Sequence, residues 1–150
     1  GCTVHLLERS PVVAALLRDA MRRARQQSEV AAIVQRMRLH CVDAIRYLNE
    51  LETALLPDIV YLDPMYPKRG KKALVKKEMR LLQRVVGVDR DSSTLLEAAR
   101  RCARFRVVVK RPAGAGCVGD STPSMSVSSP NTRYDVYVRR GFDPPGKPPA

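Results

Sequence analysis

The stretch Cys2-Thr3-Val4-His5-Leu6-Leu7-Glu8-Arg9-Ser10-Pro11 reads as a short apolar strand that stops at an acid and turns directly into a helix. Ser10 supplies a side-chain acceptor at the helix start, and Pro11 fits the first turn, where no backbone donor is needed. Val13, Leu16, Leu17, Ala20 and Met21 then follow at helical spacing, with Arg18, Arg22, Arg23 and Arg25 on the wetter side. The same pattern recurs downstream. Met37 to Cys41 is a strand, followed by Val42-Asp43 and a helix to Leu51; Asp58-Ile59-Val60-Tyr61-Leu62 is a buried-type strand that stops at Asp63-Pro64. Strands separated by helices predict an α/β fold: a Rossmann-like parallel sheet with right-handed crossovers and helices on both faces. In such sheets the ligand lies beyond the carboxyl ends of the strands, where Glu8, Asp43 and Asp63 fall.

Outward from these units, Ser28 is placed to cap a helix through Val30, Ile33 and Val34. A long basic helix is expected over Lys72 to Val86, stopped at Gly87. Another is expected over Ser93 to Arg104, with Thr94 and Glu97 at capping-box spacing. Phe105 to Val109 and Tyr134 to Val138 are strands, and residues 113–132 are a long loop broken by a short strand near Met125 to Val127. The expected organisation is one domain over 1–138 and a disordered tail over 139–150, which carries Pro144, Pro145, Pro148 and Pro149.

Lysine and arginine total 27 against 15 acids, a formal charge of +12, which favours a polyanionic partner such as nucleic acid. With 5 Tyr, 2 Phe and no Trp, a surface that grips bases chiefly by stacking is disfavoured. No apolar run approaches the roughly 18 to 20 residues needed to cross a bilayer, and Glu8 and Arg9 interrupt any signal-like start. Cys2, Cys41, Cys102 and Cys117 form no C-x-x-C pair, and only His5 and His40 could supplement them, so neither a metal site nor a disulfide framework is expected. The cysteines read as three buried thiols and one loop thiol in a reducing, cytoplasmic setting.

Glu8 reads equally as an acceptor for two ribose hydroxyls or as an ordinary strand-end carboxylate. Asp43 is placed to accept from an adenine amine or to cap its helix, and capping is the simpler reading. Asp63-Pro64-Met65-Tyr66-Pro67 is more distinctive, because two prolines in five residues stiffen the chain directly after a buried strand. Such a ledge suits an amino group on a planar base: Asp63 and the Pro64 carbonyl accept its N–H bonds, while Tyr66 stacks on the ring.

Val60-Tyr61-Leu62-Asp63-Pro64-Met65-Tyr66-Pro67 and Lys72-Ala73-Leu74-Val75-Lys76-Lys77-Glu78-Met79-Arg80 closely resemble the RsmJ-type small-subunit ribosomal RNA guanine-N2 methyltransferases. So do Leu7-Glu8-Arg9-Ser10-Pro11 with the helix start that follows, Arg106-Val107-Val108-Val109-Lys110-Arg111-Pro112, and Arg133-Tyr134-Asp135-Val136-Tyr137. The resemblance implies methyl transfer from S-adenosylmethionine to the exocyclic amine of a guanine, on small-subunit ribosomal RNA or the 30S particle. Carried over by position, Glu8, Arg9, Val42, Asp43 and Asp63 fall at the cofactor. Asp63, Pro64 and Tyr66 fall at the catalytic end. Val42 departs from the family's small polar pair, so a contact there runs through backbone. Lys68, Arg69, Lys71, Lys72, Lys76, Lys77 and Arg80 place seven positive charges beside the ledge as an RNA-facing rim, with Lys110 and Arg111 as its extension.

The resemblance also implies that the family's first strand and glycine-rich loop lie upstream of Gly1. The 150 residues alone are therefore expected to be inactive. The alternatives are a methyltransferase acting on adenine N6 or another amino group, and a non-catalytic remnant that binds RNA through charge. Oligomeric state is not legible.

Overall fold

The computed structural model describes residues 1–64, 91–119 and 121–141. The chain divides into two compact units, Gly1–Glu50 and Leu51–Ala150. None of the described helices is long and apolar enough to cross a membrane.

The first unit follows the sequence expectation closely. Strand β1 (Val4–Glu8) leads into helix α1 (Pro11–Ala24), then α2 (Ser28–Val34), strand β2 (Met37–Cys41) and α3 (Ala44–Asn49). β1 and β2 pair in parallel, with Val4 beside Met37 and Glu8 beside Cys41. α1 starts where Ser10 and Pro11 dictate: the Val13 N–H donates to Ser10 Oγ at 3.4 Å, and Arg22 and Arg23 in the last turn face the carbonyl end of the helix dipole. Both of those arginines also pair with Asp19, Arg22 at 2.8 Å. One expectation fails. Gln27, not Ser28, occupies the cap position of α2, and it makes no side-chain cap bond. The buried apolar residues of this unit are Ala14, Val34 and Leu48.

The second unit holds strand β3 (Ile59–Leu62), helix α4 (Ser92–Cys102), β4 (Arg106–Pro112), β5 (Met125–Ser128) and β6 (Thr132–Val138), with a short 3-10 turn at Thr53–Leu55. Its sheet runs in the order β3-β4-β6-β5. β3 and β4 are parallel, but β6 is antiparallel to both β4 and β5, so the sheet is mixed rather than all parallel. No helix separates β5 from β6; a short turn returns the chain and reverses its direction. α4 begins at Ser92 with Asp91 at the cap position, which puts Thr94 inside the first turn rather than at the start. Its buried face is Leu96, Ala98, Ala99 and Cys102, mostly small side chains that let the helix lie close on β4. Val107 and Val109 of β4 are fully buried, as are Leu96 and Asp135.

Arg139, the first residue of the expected tail, is tied to the fold. Arg139 N–H donates to Phe105 O at 2.7 Å, and its guanidinium donates to Arg101 O at 2.6 Å and Ala103 O at 2.9 Å. Those are carbonyls at the end of α4, so Arg139 closes the helix that the sequence leaves without a stop signal. The expected helix over 72–86 and residues 142–150 of the tail expected over 139–150 lie outside the described residues. The cysteine reading is also corrected. Cys102 alone is buried, while Cys2, Cys41 and Cys117 are exposed.

Candidate active site

In the first unit the parallel register carries the chain ends of β1 and β2 to the same place. Beyond the pairing of Glu8 with Cys41, the Val42 N–H donates to Glu8 O at 3.0 Å. Glu8 and Val42-Asp43 therefore leave adjacent strands side by side, at the roughly 4.8 Å strand spacing. Glu8 Oε1 accepts the Ser10 N–H at 2.6 Å, a charge-assisted bond that fixes the carboxylate over the entry of α1. Asp43 caps α3: its Oδ1 accepts the Arg46 N–H at 2.9 Å. Capping, the simpler of the two readings of Asp43, is realised. Arg9 follows Glu8 on the exposed surface. Thus Glu8, Arg9, Val42 and Asp43, scattered over 35 positions, meet at one sheet end.

The same strand pair carries a feature the sequence leaves undetected. His5 Nδ1 and His40 Nε2 lie 3.1 Å apart with their rings nearly parallel, and the Tyr47 hydroxyl is 3.5 Å from His5 Nδ1. The two histidines share a face only because Leu7 pairs with His40, and that register is invisible before the strands are paired. Among the described residues no three His, Cys, Asp or Glu side chains converge as a metal site would need.

In the second unit Asp63 and Pro64 follow β3. Asp63 is exposed and Pro64 buried, so the proline anchors the turn and leaves the carboxylate accessible. Leu62 pairs with Val109, and the next residues in register, Asp63 and Lys110, are bonded: Lys110 Nζ donates to Asp63 Oδ2 at 2.8 Å. That hydrogen bond, with the Asp63 charge, raises the Lys110 pKa above its ordinary value, so the amine stays protonated. Burial first and then the Asp63 carboxylate push the nearby Tyr61 phenol upward as well. Lys110 therefore stands beside Asp63, engaged with its carboxylate. Arg111, by contrast, does not stand on the surface. It is 7% exposed and lies on the inward face of β4, so the expected phosphate contact is not available there. Tyr66 and the cluster Lys68, Arg69, Lys71, Lys72, Lys76, Lys77 and Arg80 lie outside the described residues.

Parallel β-α units whose strands end in acids, with a proline-stiffened carboxylate after one of them, define the class: a Rossmann-like α/β protein. Residues 1–139 match the family model described as "Putative SAM-dependent methyltransferase", and the chain belongs to that family. It is 49% identical over 138 residues to the ribosomal RNA small subunit methyltransferase J of Nitrosococcus oceani, covering 92% of this chain and 54% of that protein. It is 51% identical over 139 residues to the protein of the same name from Tolumonas auensis, covering 92% and 55%. A crystal structure of a SAM-dependent methyltransferase from Neisseria gonorrhoeae superposes with a TM-score of 0.73 at 38% identity, over 94% of this chain and 54% of that one. The chain spans about half the length of the curated relatives it matches.

Proposed function

We propose that this protein is an S-adenosylmethionine-dependent methyltransferase acting on the exocyclic N2 of a guanine in small-subunit ribosomal RNA. The observation that carries the reading is Asp63-Pro64 at the carboxyl end of β3, in a chain about half identical to ribosomal RNA methyltransferases. The acceptors present suit the cofactor. Glu8, its carboxylate already oriented by Ser10, is an acceptor for ribose hydroxyls. Beside it, the second Asp43 oxygen and the Val42 carbonyl would serve the adenine edge, since the Val42 N–H is held by Glu8 O and Asp43 Oδ1 by the Arg46 N–H.

When bound, the cofactor supplies an electrophilic methyl group on a sulfonium, so no covalent enzyme intermediate is needed. Asp63 and the Pro64 carbonyl accept the two N–H bonds of the guanine amine, which turns the nitrogen lone pair toward its target. Tyr66 stacks on the base. On accepting the methyl group, the guanine amine would give up one proton to solvent. The basic residues Lys68, Arg69, Lys71, Lys72, Lys76, Lys77 and Arg80 hold the RNA backbone and leave base choice to the ledge.

The test is transfer of labelled methyl groups to small-subunit RNA and to 30S particles that lack guanine-N2 methylation. Label on guanine N2 is expected, and Asp63→Ala in the full-length protein should lower transfer by about 100-fold with RNA affinity kept. Label on adenine or on protein refutes the reading of the acceptor. Undiminished transfer by Asp63→Ala removes that residue from the reaction.

A further inference from the structure

Lys110 and Asp63 are the first residues beyond the last paired positions of β3 and β4, Leu62 and Val109, so the sheet register sets them side by side. Their contact is short, 2.8 Å from Nζ to Oδ2, although the side chains keep 39% and 50% of their exposure. An ion pair this wet adds little to folding, because solvent screens it and two side chains lose freedom to make it. Its value must therefore be sought in what it does to the carboxylate.

A carboxylate on an exposed turn rotates freely about its own bond. One that must accept an N–H from a base needs an oxygen in a fixed place. The backbone holds Lys110 firmly: it sits between β3 and β6, with Tyr134 as its register partner on the β6 side. Tyr61, two residues before Asp63, lies close enough to feel both charges of the pair. We infer that Lys110 is a positioning residue for the transfer reaction, holding Asp63 by Oδ2 so that its other oxygen meets the acceptor amine. The inference rests on the methyltransferase reading and deepens it. It also replaces the sequence expectation for Lys110, which made it one more contact to RNA phosphate.

The two roles differ in what they change. Neutralising a phosphate-binding lysine weakens RNA binding and lowers the salt dependence of affinity by about one ion. Removing a positioning group leaves affinity alone and lowers turnover. The experiment compares Lys110→Gln and Lys110→Arg with wild type in the full-length protein, measuring kcat, KM for RNA, and the salt dependence of RNA binding.

Positioning predicts that Lys110→Gln lowers kcat by about ten-fold or more, with KM for RNA within about two-fold and the salt dependence unchanged. Lys110→Arg should restore most of the rate, since a guanidinium can still hold Oδ2. In an Asp63→Ala background, Lys110→Gln should cost nothing further, because its target is gone. A KM that rises while kcat holds, or a Lys110→Gln variant as fast as wild type, overturns the inference and leaves the methyltransferase reading intact. A wild-type protein that transfers no methyl group to RNA overturns both.

Discussion

Asp135 is completely buried in β6, and Arg133, two residues earlier on the same strand face, grips both of its oxygens. Nε donates to Oδ1 at 2.7 Å and Nη2 to Oδ2 at 2.9 Å, a two-point clasp, while Ser126 Oγ on neighbouring β5 adds a third donor at 2.7 Å. The clasp therefore also pins β5 against β6, whose register places Ser126 directly opposite Asp135. Buried Arg111 contributes its charge from β4, so three strands converge on one carboxylate.

Removing that carboxylate should be among the most damaging changes in the described structure. Asp135→Ala takes from Arg133 and Arg111 the anion they share, and breaking a buried pair from one side costs about 3 kcal/mol or more. Urea unfolding should show a midpoint shift of that size. A shift within the error of a surface substitution would mean that the two arginines find other acceptors.

The same group makes stability depend on acid. Burial pushes the Asp135 pKa up, but the hydrogen bonds from Arg133 and Ser126 and the charges of Arg133 and Arg111 outweigh it, and the net shift is downward. A carboxylate depressed in the folded state binds protons more readily when unfolded. Its contribution is therefore complete above the unfolded value of about 3.9 and fades as pH falls toward the lower folded value. Melting temperature should hold from neutral pH to about 5 and drop below about 4, with the drop shallower in Asp135→Asn.

Helix caps give a graded pair. Asp43 Oδ1 meets its N–H at 2.9 Å, whereas Ser10 Oγ meets its own only at 3.4 Å. Asp43→Ala should cost about 1 kcal/mol and Ser10→Ala roughly half as much, read from denaturant midpoints. Asp43→Asn keeps the cap, so any loss of cofactor affinity in that variant reports on the ligand rather than on the helix.

Thiol chemistry should separate one cysteine from three. Burial raises the Cys102 pKa, and its Sγ donates to Ala99 O at 3.5 Å, so little thiolate forms and little reagent reaches it. Alkylation of the native protein should modify Cys2, Cys41 and Cys117 and spare Cys102 until denaturant is added. Mass spectrometry of the labelled peptides reads this directly.

The pattern of what the sequence reveals follows from the range of the forces involved. Ser10-Pro11 and Asp43 announce helix starts because capping is local, satisfied within three residues. The acids at strand ends are legible for the same reason, each lying next to its own apolar run. The direction of β6 is not, since β4 accepts either orientation and the connection through 113–132, which holds β5 and no helix among its described residues, decides it. The sequence puts Arg111 on the surface because one residue of alternation separates it from Lys110, and its inward face is chosen by Asp135 on the neighbouring strand. His5 with His40, Asp63 with Lys110, and Arg139 with the end of α4 all join residues more than 30 positions apart. No local pattern carries such information. Of the site itself, the carboxylates can be named from sequence, but not what holds each of them.

The strand order β3-β4-β6-β5 has a consequence for how the protein is made. β6 is the last of the described strands to be synthesised, yet it lies in the interior of its sheet, between β4 and β5. During translation β4 therefore waits with one edge open, and the ribosome must release the chain through about Val138 before that edge can close. β1 and β2 have no such dependence, being joined by helices already complete. A nascent chain arrested before Thr132 should expose the edge of β4 to chaperones or to aggregation, while the Gly1–Glu50 unit, synthesised earlier, can already pair its strands.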